Sequence, residues 1–377
     1  MDFSLTEEQT EVQNLARKIL EDLSTHDRLN QIEASDEGID RELWAELARS
    51  NLLGVGLPET FGGSDLGFFT LSVLLEEVGR AVAAIPAIPT LVLGALPVSR
   101  FGSDEQKQRL LPGVAQGEII LTGALHEAGS EEPARPMTTA SRDGDCWRLD
   151  GLKICVPAAH VAERILVPAS SDDGGVALFL VDPATDGVRL TPQQTTNRER
   201  HSQLELSGAS VAGADVLVGP EEGARAVHWL TDRATVAYCA LQLGVSDKAL
   251  RMTSEYTTTR KQFDRPIGSF QAVHARAADA FIDVEAMRLT TWLAAWRLSE
   301  ELPATEEVAV AKYWAAEGGQ FVGYAAQHLH GGIGIDVDYP LYRYYLWAKQ
   351  NELTLGSAAV QLARLGAQMA EAPIGHD

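Results

Sequence analysis

Little in this sequence could form a covalent staple, a membrane span or a nucleic-acid surface. Its 377 residues include only three cysteines, Cys146, Cys155 and Cys239, scattered along the chain. They match no metal-ligand spacing, and an odd number makes a poor disulfide framework, so a reducing, cytoplasmic setting is expected. No apolar run approaches the roughly 20 residues needed to cross a bilayer. The opening Met1-Asp2-Phe3-Ser4 lacks the basic-then-apolar order of a secretory leader. Basic residues are scarce as well: 31 Lys and Arg stand against 53 Asp and Glu, a net charge of −22. Such a surface repels nucleic acid and anionic membranes, and neither is expected as a partner. An anionic ligand would have to be held by local Arg, Lys and backbone N–H groups against that field.

What is present is apolar patterning in three textures. Hydrophobic residues make up 45% of the chain, enough for two or three cored domains. Residues 1–120 read as helical. Val12, Leu15, Ala16, Ile19, Leu20 and Leu23 form one stripe, with Thr6 and Gln9 as a capping box. Pro58, Gly62 and Gly63 mark a loop, and a second helix is predicted from about Thr70 to Ala84. Residues 121–222 read as strands. Asp150-Gly151 predicts a hairpin turn between Trp147–Leu149 and Leu152–Ile154. Further strands are expected over Arg164–Pro168, Val176–Val181 and Gln203–Leu206. No helix separates them, which argues for an antiparallel sandwich or barrel. Residues 223–377 return to Ala-rich helical stripes at 225–260, 270–300 and 304–330.

Two clusters could carry chemistry. The first is Tyr256-Thr257-Thr258-Thr259-Arg260-Lys261-Gln262-Phe263-Asp264-Arg265-Pro266-Ile267-Gly268-Ser269-Phe270-Gln271, where Pro266 and Gly268 break a helix. Arg260 offers a planar fork suited to a diphosphate, and Phe263 a flat apolar face. By composition alone a solvated helix-to-helix corner is the favoured reading. The second is His328-Leu329-His330-Gly331-Gly332-Ile333-Gly334. Its glycines allow close backbone approach, yet no strand precedes them, so it is not the dinucleotide fingerprint. His328 and His330 have no third ligand near them in sequence, and no metal is expected.

Together the two clusters resemble the acyl-CoA dehydrogenase family, which places Arg-x-Gln-Phe, then Pro-Ile and a Gln, then a Gly-Gly-x-Gly loop in its C-terminal helical domain. The N-terminus, Leu43-Trp44 and Leu57-Pro58-Glu59-Thr60-Phe61-Gly62-Gly63 are similar too, so the resemblance runs along nearly the whole chain. It implies an α+β multidomain fold: an N-terminal helical domain, a middle antiparallel β-barrel and a C-terminal four-helix bundle. It also implies FAD, an acyl-CoA substrate oxidised at Cα–Cβ, a Glu that takes the α-proton, and an electron-transferring flavoprotein as acceptor. By the same resemblance Arg260, Gln262, Phe263 and Gln271 are assigned to the adenosine-diphosphate end of a neighbouring subunit's FAD. Gly331, Gly332 and Gly334 would form the backbone cradle, and His328 stands where the family usually has Gln.

The chain departs from the family elsewhere. Leu125-His126-Glu127-Ala128 replaces Leu-Thr-Glu-Pro, and Lys153-Ile154-Cys155-Val156-Pro157 replaces Lys-x-Trp-Ile-Thr. Cys155 has no indole face, and Pro157 has neither a hydroxyl nor an N–H. The usual position of the catalytic Glu falls on Leu355. Glu352 is a rival almost one helical turn away. A second subgroup's position falls on Ala234, with Asp232 two residues before it and on a different face. The resemblance therefore implies a non-catalytic chain paired with a catalytic paralogue in a heterotetramer. It is nearest to actinobacterial enzymes that shorten steroid side chains. Two alternatives stand beside it: a homodimer using Glu352 or Asp232 as base, and a flavin-free scaffold.

Overall fold

In this computed structural model, residues 3–172 and 174–371 are described. Met1 and Asp2, on which the leader reading partly rests, and residues 372–377 of the third predicted domain lie outside the described residues. Helix α1 spans Glu7–Leu23. Its start is fixed by the expected capping box: Gln9 N–H donates to Thr6 Oγ1 at 3.2 Å, and Thr6 N–H to Gln9 Oε1 at 2.9 Å. α2 (His26–Ala34) and α3 (Arg41–Arg49) open on Thr25 and Asp40, each of which accepts a backbone N–H. α4 runs Gly67–Ala81, slightly ahead of the predicted helix. A buried π-helical stretch, Ile88–Ala95, leads into α5 (Leu96–Phe101) and α6 (Asp104–Ala115).

The middle of the chain is a sheet, and two expectations for it need correcting. Its strands are β1 (Leu121–Gly123), β2 (Thr139–Asp143), β3 (Cys146–Pro157), β4 (Arg164–Ser171), β5 (Val176–Val181), β6 (Val188–Gln194), β7 (Arg200–Ala212) and β8 (Val216–Val218). The order is β6-β7-β3-β2-β4-β5-β8, with β1 also on β4. The path ends at β6 and β8, which do not pair among the described residues, so the sheet is not a closed barrel. Nor is it wholly antiparallel, since β1 and β2 both run parallel to β4. The long stretch from β1 to β4 supplies the crossover that a short turn could not. The second correction concerns Asp150-Gly151. These residues lie inside the continuous strand β3, where pairing with β7 shifts register at a bulge beside Leu149 and Asp150. A Cβ at Gly151 would lie 2.5 Å from Thr138 Oγ1, so the glycine serves close approach rather than a turn. One face of the sheet buries Trp147, Leu149, Val167, Phe179 and Leu204.

The C-terminal helices are α7 (Gly223–Thr259), α8 (Gln271–Ser299), α9 (Thr305–His330), α10 (Leu341–Leu353) and α11 (Ala358–Glu371). A two-stranded ribbon, β9 (Lys261–Gln262) and β10 (Arg265–Pro266), joins α7 to α8. Their Ala-rich stripes close over a core of Leu243, Val284, Met287 and Val322.

The described residues form two compact units. One draws on residues 3–17, 72–83 and 235–371, the other on residues 18–71, 84–172 and 174–234. In the first unit α4 and α7 approach closely through glycine: a Cβ on Gly79 would meet Leu241 O at 2.0 Å, and one on Gly244 would meet Glu76 O at 1.9 Å. Buried charge ties the same helices. Arg80 pairs with Glu76, Glu77 and Asp247, and Arg288 holds Glu76 at 2.8 Å and Asp247 at 3.1 Å. Arg17 reaches Glu77 at 2.7 Å, and Trp292 Nε1–H donates to Glu76 at 3.3 Å. No helix among the described residues is long and apolar enough to cross a membrane.

Candidate functional site

The Arg260 cluster folds into a small outward-facing hairpin. Thr258 and Thr259 turn their hydroxyls back to Glu255 O, which loosens the last turn of α7. Arg260 N–H still donates to Tyr256 O at 2.8 Å, and Ile267 N–H closes the ribbon on Arg260 O at 2.8 Å. At the tip Phe263 (φ +52°) and Asp264 (φ +61°) both take left-handed backbone, the geometry of a two-residue hairpin turn normally given to Asn-Gly. Non-glycine residues there cost about 1–2 kcal/mol each, strain of the sort retained at functional sites. The turn holds the Phe263 ring 88% exposed. The Arg260 guanidinium is exposed and has no intrachain partner among the described residues. Gln262 donates its amide to Lys261 O, and Gln271 is the exposed first residue of α8.

The glycine loop follows α9. Gly331 (φ +67°) terminates the helix in a conformation that favours glycine, and a Cβ on Gly334 would crowd Gln327 Oε1 at 2.8 Å. At Gly331 and Gly332 an added Cβ would meet nothing, so their backbone is open to a ligand. His328 is exposed and borders a cavity of about 670 Å³ with Arg276, Tyr324, Gln327, Gly331 and Ile335. Two polar atoms of this wall are buried without partners, Arg276 Nε and Gln327 Oε1. An open glycine backbone, an unpaired guanidinium and orphaned donor and acceptor atoms suit a phosphate-bearing ligand with hydrogen-bonding groups. The adenosine-diphosphate end of FAD fits that chemistry. Sequence reading missed Arg276 and Gln327, and their residue types gave no signal. The two clusters meet through a ring stack: Tyr256, one turn before Arg260, lies 4.4 Å from His330, which precedes Gly331. Among the described residues no cluster of His, Cys, Asp or Glu is placed to hold a metal.

The positions expected to bear a base sit differently. Leu355 is buried, with φ +58°. Glu352 is held by Lys349 Nζ at 2.8 Å and Gln320 Nε2 at 3.4 Å. Beneath it Lys312, fully buried, donates to Asn351 O at 2.6 Å, and burial pushes its ammonium down to about 8. Sequence reading passed over Lys312, although a lone lysine among Val308, Ala311, Ala315 and Ala316 on one face of α9 was a visible signal. Asp232 is half-buried in the other unit, and Ala234 is wholly buried.

In that other unit, the positions matching the family's flavin-ring contacts are tied to their own chain. Glu127 and Lys153 form a buried pair at 2.7 Å. Glu127 also accepts Thr138 N–H at 2.9 Å and Met137 N–H at 2.5 Å. Burial works to raise the Glu127 carboxyl, but Lys153 and these donors bring it below its ordinary range. Cys155 takes φ +52°; its N–H donates to Gln193 Oε1 at 2.8 Å, and its carbonyl accepts from His201 Nδ1 at 3.0 Å. Pro157 O accepts the Thr122 hydroxyl at 2.6 Å. His126 is half-buried, and burial, His201 and Lys153 all depress its imidazolium.

Comparison with known proteins agrees with this geometry. Residues 6–118 match the profile of the acyl-CoA dehydrogenase N-terminal domain, and residues 221–370 that of the acyl-CoA dehydrogenase C-terminal domain. The chain is 39% identical, over 99% of its length and 100% of the relative's, to acyl-CoA dehydrogenase FadE27 of Mycobacterium tuberculosis. It superposes on a chain of the Tcur3481-Tcur3483 steroid ACAD with TM-score 0.91 and 47% identity, covering 97% of this chain and 98% of that one. For the ChsE4-ChsE5 complex from Mycobacterium tuberculosis the values are 0.93, 40%, 99% and 100%.

Proposed function

Because this chain belongs to the acyl-CoA dehydrogenase family of flavoprotein oxidoreductases, we propose that it is the non-catalytic chain of a mixed, heterotetrameric and cytoplasmic acyl-CoA dehydrogenase. It lends the adenosine-diphosphate half of an FAD site to a paralogue that carries the flavin ring and the base. FAD would supply hydride acceptance from Cβ of the acyl-CoA, with electrons passing on to an electron-transferring flavoprotein. This chain's residues bind and orient. Arg260 neutralises the diphosphate, Phe263 covers a flat apolar face, and Gln262, Gln271 and His328 offer hydrogen bonds. The open backbone at Gly331 and Gly332, with Gly334 behind it, admits the nucleotide.

One observation carries the reading: on the nucleotide side the Arg260 guanidinium is exposed without an intrachain partner among the described residues and the Phe263 ring stands in solvent, while the ring-side backbone at Cys155 is fully hydrogen-bonded within its own chain. The buried side chain at the usual base position, Leu355, can neither take nor give a proton. A steroid side-chain thioester is the proposed substrate class, supported by likeness to a protein named a steroid ACAD and to a two-component complex.

Flavin absorbance against total protein tests the assignment. The chain alone should purify nearly colourless, and with its paralogue it should carry one FAD per pair of chains. One FAD per chain would overturn the half-site reading and favour a homodimer. The substrate class is tested separately by comparing kcat/KM for a steroid side-chain thioester and octanoyl-CoA. Equal values would remove the steroid assignment.

A further inference from the structure

The Arg260 hairpin and the glycine loop belong to separate stretches of chain, and a single imidazole joins them. His330 is 5% exposed. Its Nδ1 lies 2.8 Å from Ala326 O, which can only accept, so Nδ1 carries the proton. In the neutral ring Nε2 then accepts, and the Tyr339 hydroxyl lies 3.2 Å away to donate to it. Burial depresses the imidazolium and so favours the neutral ring. On its face the ring stacks against Tyr256, with centroids 4.4 Å apart and planes at 20°. Tyr256 O in turn accepts the Arg260 N–H. Tyr339 lies in the segment that leaves the glycine loop for α10. One side chain therefore grips the end of α7, the end of α9 and the far side of the loop. A phenylalanine could keep the stack, but it carries neither the donor nor the acceptor.

We propose that His330 is a positioning residue that sets the spacing between the Arg260 hairpin and the Gly331–Gly334 loop, and through that spacing the affinity for the adenosine-diphosphate end of FAD. This rests on the reading that this chain supplies that half of the site. The metal role that two nearby histidines suggest is replaced by a hydrogen-bonded clasp.

The test uses the full chain in its flavin-loaded assembly, stripped of FAD and titrated with it, with the dissociation constant read from flavin fluorescence. His330→Phe should weaken binding about 10-fold, the scale of one to two lost hydrogen bonds. Tyr339→Phe should weaken it by less. If His330 acts by placing Arg260, then His330→Phe should add almost nothing once Arg260→Ala is present. A purely structural role would instead give additive losses, and additive losses overturn the proposal. An unchanged dissociation constant in His330→Phe overturns it as well. Should that variant fail to assemble, Tyr339→Phe decides, and unaltered affinity there sinks the proposal. Arg260→Ala separates the two levels. If it leaves FAD binding intact, the half-site reading falls and this inference with it. If Arg260→Ala weakens binding and His330→Phe does not, only the positioning role is lost.

Discussion

The hairpin at Arg260 and the strand segment at Lys153–Pro157 make opposite use of their polar groups. The hairpin leaves a guanidinium unpaired, spends left-handed backbone on Phe263 and Asp264, and holds an aromatic ring in solvent. The strand segment closes on itself. Its lysine is buried against Glu127, and Gln193 and His201 take both backbone groups of Cys155. Polar satisfaction distinguishes a surface built for a ligand from one built for its own chain more sharply than motif matching does, because an unpaired buried or strained group has an energetic cost that a ligand can relieve.

That contrast can be attacked from both sides. The largest effect is expected in the closed segment. Lys153→Ala leaves Glu127 buried and unpaired, and should cost about 3–5 kcal/mol, read from chemical denaturation. A loss under about 1 kcal/mol would mean the segment is not closed in solution. The next effect is a pH dependence. Lys312 sits below its ordinary value of 10.5, at about 8. A depressed lysine binds fewer protons folded than unfolded, so stability should rise as pH climbs from about 8 to 10.5. The total is on the order of 3 kcal/mol. Denaturation curves for wild type and Lys312→Met should diverge across that window, and parallel curves would refute the shift. On the open side, Arg260→Ala should weaken FAD binding by roughly 10- to 100-fold, since charge-assisted bonds are lost. The matching Arg→Ala in the paralogue should matter little. The smallest effect is expected at the rival bases. In the assembled enzyme Glu352→Gln and Asp232→Asn should each leave turnover within a few-fold. A drop beyond about 100-fold would place the base on this chain.

Legibility followed the range of the forces involved. Helices predicted at 225–260, 270–300 and 304–330 appear as Gly223–Thr259, Gln271–Ser299 and Thr305–His330. Their apolar stripes repeat locally, and Pro266, Gly268 and Gly331 punctuate them. Strand Val176–Val181 was equally plain as a short apolar run between turn signals. Asp150-Gly151 misled because the reason for its glycine, the approach of Thr138, lies outside any local window. The parallel pairing of β1 and β2 with β4, and the open edges at β6 and β8, depend on distant partners in the same way. For the site, Arg260 and the glycines could be read because their chemistry is carried by residue type. Gln193, His201 and His330 could not, since their roles come from partners that folding brings to them: the Cys155 backbone for the first two, the Tyr256 ring and the Tyr339 hydroxyl for His330.

The buried charges joining Glu76, Glu77, Arg80, Asp247 and Arg288 have a consequence in heat. Water holds free ions less favourably as temperature rises, so the penalty for keeping these groups dry shrinks while apolar burial gains little more. This cluster should thus supply a growing share of its unit's cohesion on warming. The calorimetric deficit of an Arg288→Met variant should be wider near the melting transition than at room temperature.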